Sequence, residues 1–177
     1  TLHKVLEYGK IDSFIHSASI QTENKDILQM IWNDFQINIE LQTKSYLQIL
    51  QAIIPSMKEQ KRGKIVSILT SYTVGSPPNR LSHYVTAKHS LLGLSKALAV
   101  ELGPFGITFN SISPSMTNTP LIEHLPSKLK EITANQIPLK RLAEPHDIAS
   151  VAVFLCSKNS DFINGENILV SGGHTMH

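Results

Sequence analysis

The sequence predicts an α/β fold, a doubly wound parallel sheet with helices on both faces. Three observations carry that expectation. Four short apolar runs, Ile11 to His16, Lys64 to Leu69, Ile107 to Ile112 and Asn167 to Val170, read as strands. Longer stretches with helical spacing separate them, the pattern of crossover helices between parallel strands. Turn signals fall at the junctions: Arg62-Gly63, Gly103-Pro104 and Asn164-Gly165. A length of 177 residues fits one compact domain, taken as residues 1–177, with enough chain to bury a sizeable core.

Each element follows in order. Leu2, Val5 and Leu6 sit at helical spacing before Gly9 and read as the end of a helix and its stop. After the first strand come the small residues Ser17-Ala18-Ser19. Apolar positions from Ile27 through Phe35 and Leu41 to Ile54 predict a long helix over Asp26 to Met57, continuous or broken, with Pro55 near its end. Thr70 to Ser82, with Gly75 and Pro77-Pro78, reads as a loop. The clearest helix runs from Ser82 to Leu102. Ser113-Pro114 reads as a loop after the third strand. Pro120 to Gln136 is helical but polar and interrupted by Pro126, the pattern of a lid. Pro145, at a first helical turn, opens a helix to about Ser157.

Composition narrows the function. A net charge of +2, with 16 basic residues scattered along the chain, argues against a nucleic acid or an acidic membrane as partner. An aromatic content of 6% gives no platform for stacking bases. One cysteine, Cys156 in an apolar run, makes no internal disulfide and reads as a buried thiol. No stretch reaches the ~18 apolar residues that span a bilayer, and no basic segment with an apolar core opens the chain. The expectation is cytoplasmic. The 8 His show no H-E-x-x-H spacing, so no metal site is expected.

Chemistry points to one helix start. Tyr84-Val85-Thr86-Ala87-Lys88 puts a phenol and an ammonium four residues apart, side by side on one face. A free tyrosine, with a pKa near ~10, is a poor acid or base at neutral pH. A neighbouring cation favours the phenolate and brings the group toward the working range. The spacing alone is weak, since chance supplies roughly 0.3 such pairs in a chain of this composition. Two further residues give it context. Ser71 follows a buried strand, where a hydroxyl faces the carboxyl edge of the sheet, with Thr70, Ser67 and Thr73 as competitors. Asn38 lies inside the long helix, a poor place for an amide that competes with the backbone.

Together these residues resemble the short-chain dehydrogenase/reductase family along the whole chain. Lys10 to Ser19 resembles its fourth strand and N-N-A-G motif, and Asn38 its helix-kinking asparagine. Ser71 is similar to its substrate-binding serine, and Tyr84 with Lys88 to Y-x-x-x-K. Ser113 to Thr119 resembles the P-G-x-x-x-T cofactor loop, and Pro138 to Arg141, Glu144 to Ala149 and Val170 to Gly173 complete the pattern. The resemblance implies a Rossmann-like fold and a catalytic set of Asn38, Ser71, Tyr84 and Lys88. In it Tyr84 exchanges a proton with the substrate oxygen and Lys88 lowers the Tyr84 pKa and binds the nicotinamide ribose. Ser71 holds the substrate oxygen and Asn38 anchors a relay water. It further implies that NADP or NAD is bound by Ser17, Ala18, Tyr84, Lys88, Pro114, Thr117 and Thr119. The substrate is then a small carbonyl or alcohol, with 3-oxoacyl-carrier-protein reductases as the nearest subclass. A homodimer or homotetramer is implied through helix Ser82 to Leu102 and the long helix before it, the small residues Ala87, Gly93 and Ala97 of the former permitting close packing.

The sequence departs from the family pattern in three places. His16-Ser17-Ala18-Ser19 replaces both asparagines and the glycine of N-N-A-G, and Ser115 replaces the glycine of P-G. Neither G-x-G-x-x-G nor G-x-x-x-G-x-G occurs, so the N-terminal strands and their phosphate-binding turn are expected in a segment before Thr1, without which an apolar strand edge stays bare. The competing reading is a cofactor-poor homologue that serves as a structural or binding subunit.

Overall fold

The computed structural model describes residues 9–176, so the helix end expected over Leu2 to Leu6 lies outside the described residues. Four parallel strands, β1 (Ser13–His16), β2 (Gly63–Ile68), β3 (Ile107–Pro114) and β4 (Asn167–Val170), form one sheet in that order. The register sets Phe14 beside Ile65 and Ile65 beside Phe109, then Ile68 beside Ile112 and Ile112 beside Ile168. Among the described residues β1 pairs with β2 alone, and Ile15 is exposed.

Alternation along each strand divides the apolar residues between two faces. Ile65, Ile107 and Phe109 meet Tyr46, Leu50, Ile53 and Met57 of helix α2 (Ser45–Gln60) and Leu91, Ala99 and Leu102 of helix α3 (Ser82–Leu102). On the other face Val66 and Ile112 meet Ala152 and Leu155 of helix α5 (Pro145–Cys156). Helices therefore cover both faces, as the apolar runs required.

The long helix is broken. A 3-10 turn, Ile27–Gln29, precedes helix α1 (Trp32–Ile39), and five residues of π-helix, Glu40–Lys44, join α1 to α2. Pro55 lies inside α2, which runs on to Gln60. The polar stretch Pro120 to Gln136 is a 3-10 turn, Pro120–Ile122, and a helix α4 (Ser127–Gln136) that begins directly after Pro126.

The Ser113-Pro114 stretch, expected as a loop, is strand. Ser113 and Pro114 are the last residues of β3, paired with Leu169 and Val170. A proline at a strand end forfeits only its own donor, and Ser115 N–H continues the pairing by donating to Val170 O at 3.1 Å.

Candidate active site

The expected residues gather along the carboxyl edge of the sheet, where α/β folds bind ligands. β1 ends at His16, β2 at Ile68 and β3 at Pro114. Tyr84 and Lys88 stand on the first turns of α3, one helical turn apart. Lys88 is buried, and its Nζ donates to the carbonyl of Ile68 at 2.9 Å. The same Nζ lies 5.8 Å from the centroid of the Tyr84 ring. Ser71 is buried in a 3-10 turn, Ser71–Thr73, directly beyond β2. The strand end, the serine turn and the helix start thus bring Ser71, Tyr84 and Lys88 to one edge.

The electrostatics differ from the expected acidified phenol. Tyr84 is pushed up to about 12, chiefly by burial and further by the neighbouring Tyr72, while a hydrogen bond from the Thr70 hydroxyl pulls it down. Lys88 is pushed down to about 8 by burial. The reason is geometric: the ammonium is directed at the sheet carbonyl, and removing both groups from water outweighs their mutual effect. Thr70, read from the sequence as a bland competitor of Ser71, is the side chain that pulls the phenol back down.

Asn38 is buried at the end of α1, two residues before the π-turn. Its Oδ1 accepts from Gln42 Nε2 at 3.3 Å and Thr22 Oγ1 at 3.4 Å, and its Nδ2 donates to Asp34 O at 3.0 Å. The amide therefore ties the helix break to the loop after β1. Gln42, which gave no signal in the sequence, is fully buried inside the π-turn, and its Oε1 has no partner among the described residues. A polar residue at a helical position reads as surface unless the strand that covers it is known.

The cofactor-loop residues follow β3. Pro114 ends the strand, and Thr117 forms an isolated parallel bridge with Ala143. Thr117 Oγ1 donates to Ser115 O at 3.0 Å, and Thr119 Oγ1 to Thr117 O at 3.4 Å. The segment behind the loop is held by a two-pronged ion pair, Arg141 to Asp147, at 2.6 and 3.0 Å, which keeps the Asp147 carboxyl well below the usual range. Ser115 borders a cavity of about 170 Å³ that Ile137, Val170 and Gly172 also line, space that accommodates a side chain where the family pattern has glycine. Across the edge, Ser17 is exposed and Ala18 half-buried.

These residues fit the nicotinamide-ribose half of a dinucleotide. Lys88 carries three donors, and Ile68 O is its recorded acceptor among the described residues. Ser19 Oγ and Ser115 Oγ are buried at the same edge and have no hydrogen-bond partner among the described residues. Free donors and hydroxyls at strand ends suit a ribose diol and a carboxamide.

Comparisons with known proteins agree with this geometry. Residues 3–175 match the family model described as enoyl-(acyl carrier protein) reductase. The chain is 31% identical over 169 residues to the 3-oxoacyl-[acyl-carrier-protein] reductase of Thermotoga maritima, covering 96% of this chain and 68% of that protein. It is also 31% identical to the (2S)-[(R)-hydroxy(phenyl)methyl]succinyl-CoA dehydrogenase subunit of Thauera aromatica, covering 96% of this chain and 67% of that one. Among solved structures, a 3-oxoacyl-[acyl-carrier protein] reductase from Brucella melitensis superposes with a TM-score of 0.91 at 26% identity, covering 99% of this chain and 68% of the other. A reductase from the same organism with bound NAD gives 0.88 at 25% identity, covering 99% and 67%. The matches run nearly the full length of the chain, through the Tyr84–Lys88 helix and the loop after β3, and the chain belongs to the short-chain dehydrogenase/reductase family of oxidoreductases.

Proposed function

We propose that this protein is an NAD(P)-dependent ketoreductase of 3-oxoacyl-carrier-protein-reductase type, in which Tyr84 transfers the proton. The observation that carries this reading is the pairing of Tyr84 with a buried Lys88 fixed to the last residue of β2, with Ser71 beside them. A nicotinamide cofactor, when bound, supplies the hydride. The chain's own residues do the rest. Lys88 binds the nicotinamide ribose with the donors left over from Ile68. Pro114, Thr117, Thr119, Ser17 and Ala18 line the cofactor, largely through their backbone. Ser71 holds the carbonyl oxygen of the substrate by donating a hydrogen bond. Tyr84, a neutral phenol at pH 7, gives its proton to that oxygen as the carbonyl becomes an alcohol. Asn38 holds the helix break, its side chain engaged by Thr22 and Gln42, and anchors the relay water.

The 3-oxoacyl class rests on the relatives that carry that name. The apolar residues Leu121, Leu129 and Ile132, exposed on the lid, suit an acyl chain. The test uses the full-length protein, NADPH or NADH, and acetoacetyl-coenzyme A as probe. Turnover is expected, and Tyr84→Phe lowers kcat about 10³-fold, the usual worth of a positioned proton donor. A Tyr84→Phe protein with normal turnover sinks the assignment. Absence of both nicotinamide fluorescence enhancement and turnover over a carbonyl panel would favour the structural-subunit reading.

Among the described residues no helix is long and apolar enough to cross a membrane, and we assign the protein to the cytoplasm. We also assign it to a homodimer or homotetramer through α2 and α3. Gly93, Ala97 and Val100 are exposed along the outer side of α3, whereas Ala87 is fully buried and faces the core, so it does not belong to that stripe.

A further inference from the structure

The chain has a histidine, His16, where the family pattern has asparagine, and its surroundings give it a task. His16 closes β1 and is buried. Its Nε2–H donates to the carbonyl of Gln42 at 2.9 Å. The ring packs against Tyr46 with centroids 5.0 Å apart and against Phe14 at 5.9 Å. Gln42 lies in the π-turn and donates its side-chain amide to Asn38 Oδ1. One ring therefore ties the end of a strand to the carbonyl ladder of a π-turn 26 residues away, and through Gln42 to Asn38 and Thr22. π-turns place extra strain and free backbone groups at one point of a helix and are frequent at functional sites. This one is held from outside the helix by His16.

His16 pairs in the sheet with Ser67, the residue before Ile68, whose carbonyl accepts the Lys88 ammonium at 2.9 Å, and the Lys88 charge opposes protonation of the ring. The titratable groups facing the ring are Lys88 from α3 and the Tyr46 phenol from α2, and Tyr46 stays neutral because burial raises its pKa. Among the described residues no carboxylate bears on the imidazole.

We propose that His16 is a positioning residue for Lys88: it clamps the π-turn to the sheet edge with one nitrogen and must remain neutral for the lysine beside it to keep its charge and place. The physical reason is twofold. Loss of the donor leaves the Gln42 carbonyl buried without its partner and loosens the turn that packs on α3. Protonation of the ring sets a second cation beside the ammonium in a low-dielectric site, where like charges destabilise each other strongly. Burial is the largest influence on His16 and holds it below the ordinary 6.5, with the Gln42 bond opposing and the Lys88 charge reinforcing. The neutral ring is thus the form present at neutral pH.

The inference rests on the catalytic reading of Tyr84 and Lys88, and the experiment separates the two. Nuclear magnetic resonance titration of the imidazole, without cofactor or substrate, is expected to place His16 below 6.5 in the wild-type protein and to move it up in Lys88→Met. An unmoved titration overturns the coupling whatever the enzyme does. Kinetics with acetoacetyl-coenzyme A then address the clamp. His16→Phe keeps a ring and loses the donor, so kcat falls about tenfold while KM changes less than about twofold, as expected for one lost buried hydrogen bond. His16→Gln restores a donor that does not titrate. It is expected to recover most of the lost kcat and to lack the acid-side decline that protonation of His16 should give the wild type. His16→Phe with wild-type kcat, or His16→Gln with the acid decline intact, overturns the proposal. If His16→Phe fails to fold, the glutamine variant and the titration decide alone. Tyr84→Phe run in parallel isolates the underlying reading: an inactive Tyr84→Phe beside His16 variants that match wild type at every pH sinks only the role of His16.

Discussion

Lys88 occupies a position that stability alone would not select. Its ammonium is buried and bonded to a carbonyl oxygen, and burial takes its pKa from 10.5 to about 8. A cation whose pKa falls on folding carries a cost that is complete below the folded value. The unfolded chain binds more protons between about 8 and 10.5, so stability rises with pH across that window as the folded state sheds its charge. At pH 7 the difference is on the order of 3 kcal/mol. Lys88→Met, which fills the same space without a charge, is therefore expected to raise Tm at pH 7 by several degrees, to lose that gain as the pH approaches 10, and to abolish turnover. Thermal denaturation of the two proteins across that range is the check, and a methionine variant that melts lower at pH 7 contradicts it. Tyr84 gives the complementary prediction. With its pKa raised to about 12 it is a proton donor at neutral pH, so carbonyl reduction holds level there, whereas alcohol oxidation needs the phenolate and accelerates with rising pH. Reduction is expected to decline as the pH passes about 8, where Lys88 loses its charge. Initial rates in both directions against pH test this, and equal profiles would refute it.

At the scale of elements, what could be read from the sequence follows from periodicity, and what could not follows from contacts. Helix α3 begins at Ser82 and ends at Leu102, the bounds its apolar spacing and Gly103-Pro104 predict. Strands β2 to β4 fall on their apolar runs because β-branched residues buried on both faces leave little choice. The π-turn was legible only as a possible break in a long helix, since its cause includes a hydrogen bond from His16 on another element. The inward-facing Gln42 and the phenol-bonded Thr70 were missed for the same reason. Connectivity adds a further point. The β1–β2 and β2–β3 crossovers lie over the face that carries α2 and α3, whereas α5 covers the opposite face on the way from β3 to β4. Because each step along the sheet runs in the same direction, the last crossover has the opposite hand to the other two, against the usual preference. The turn into β3, on the crossover before it, is constrained separately. Gly106 has φ +72°, and a Cβ there would lie 2.3 Å from the carbonyl oxygen of Lys61. Gly106→Ala is expected to cost about 2 kcal/mol or more through the strained backbone and this clash, read as a lowered denaturation midpoint. A midpoint unchanged from wild type would show that the turn relaxes freely.

At the scale of the whole molecule, two apolar surfaces stand outside the sheet. On the layer of α2 and α3, Val100 is 81% exposed and Leu47 40%. On the other side, Val153 and Phe154 of α5 are exposed together with Phe162. Isolated exposed apolar residues are ordinary, but a helix whose outer side combines Gly93, Ala97 and Val100 offers a flat track for a second helix. A Cβ built on Gly93 meets nothing within 4 Å, so the track is open to an approaching backbone. In the proposed dimer or tetramer α3 carries the catalytic pair on its first turns and the self-association face further along the same rod. Assembly would then stiffen the element that positions Tyr84 and Lys88. Val100→Glu puts a charge on that face, at the end away from the site. It is expected to shift the mass found by light scattering toward the monomer and to lower kcat several-fold, with the circular dichroism spectrum unchanged. If Val100→Glu keeps the wild-type mass, self-association does not run through α3. If the wild-type protein is itself monomeric, the assembly proposal fails while the chemistry at Tyr84 stands, because every residue assigned to the proton transfer lies within one chain.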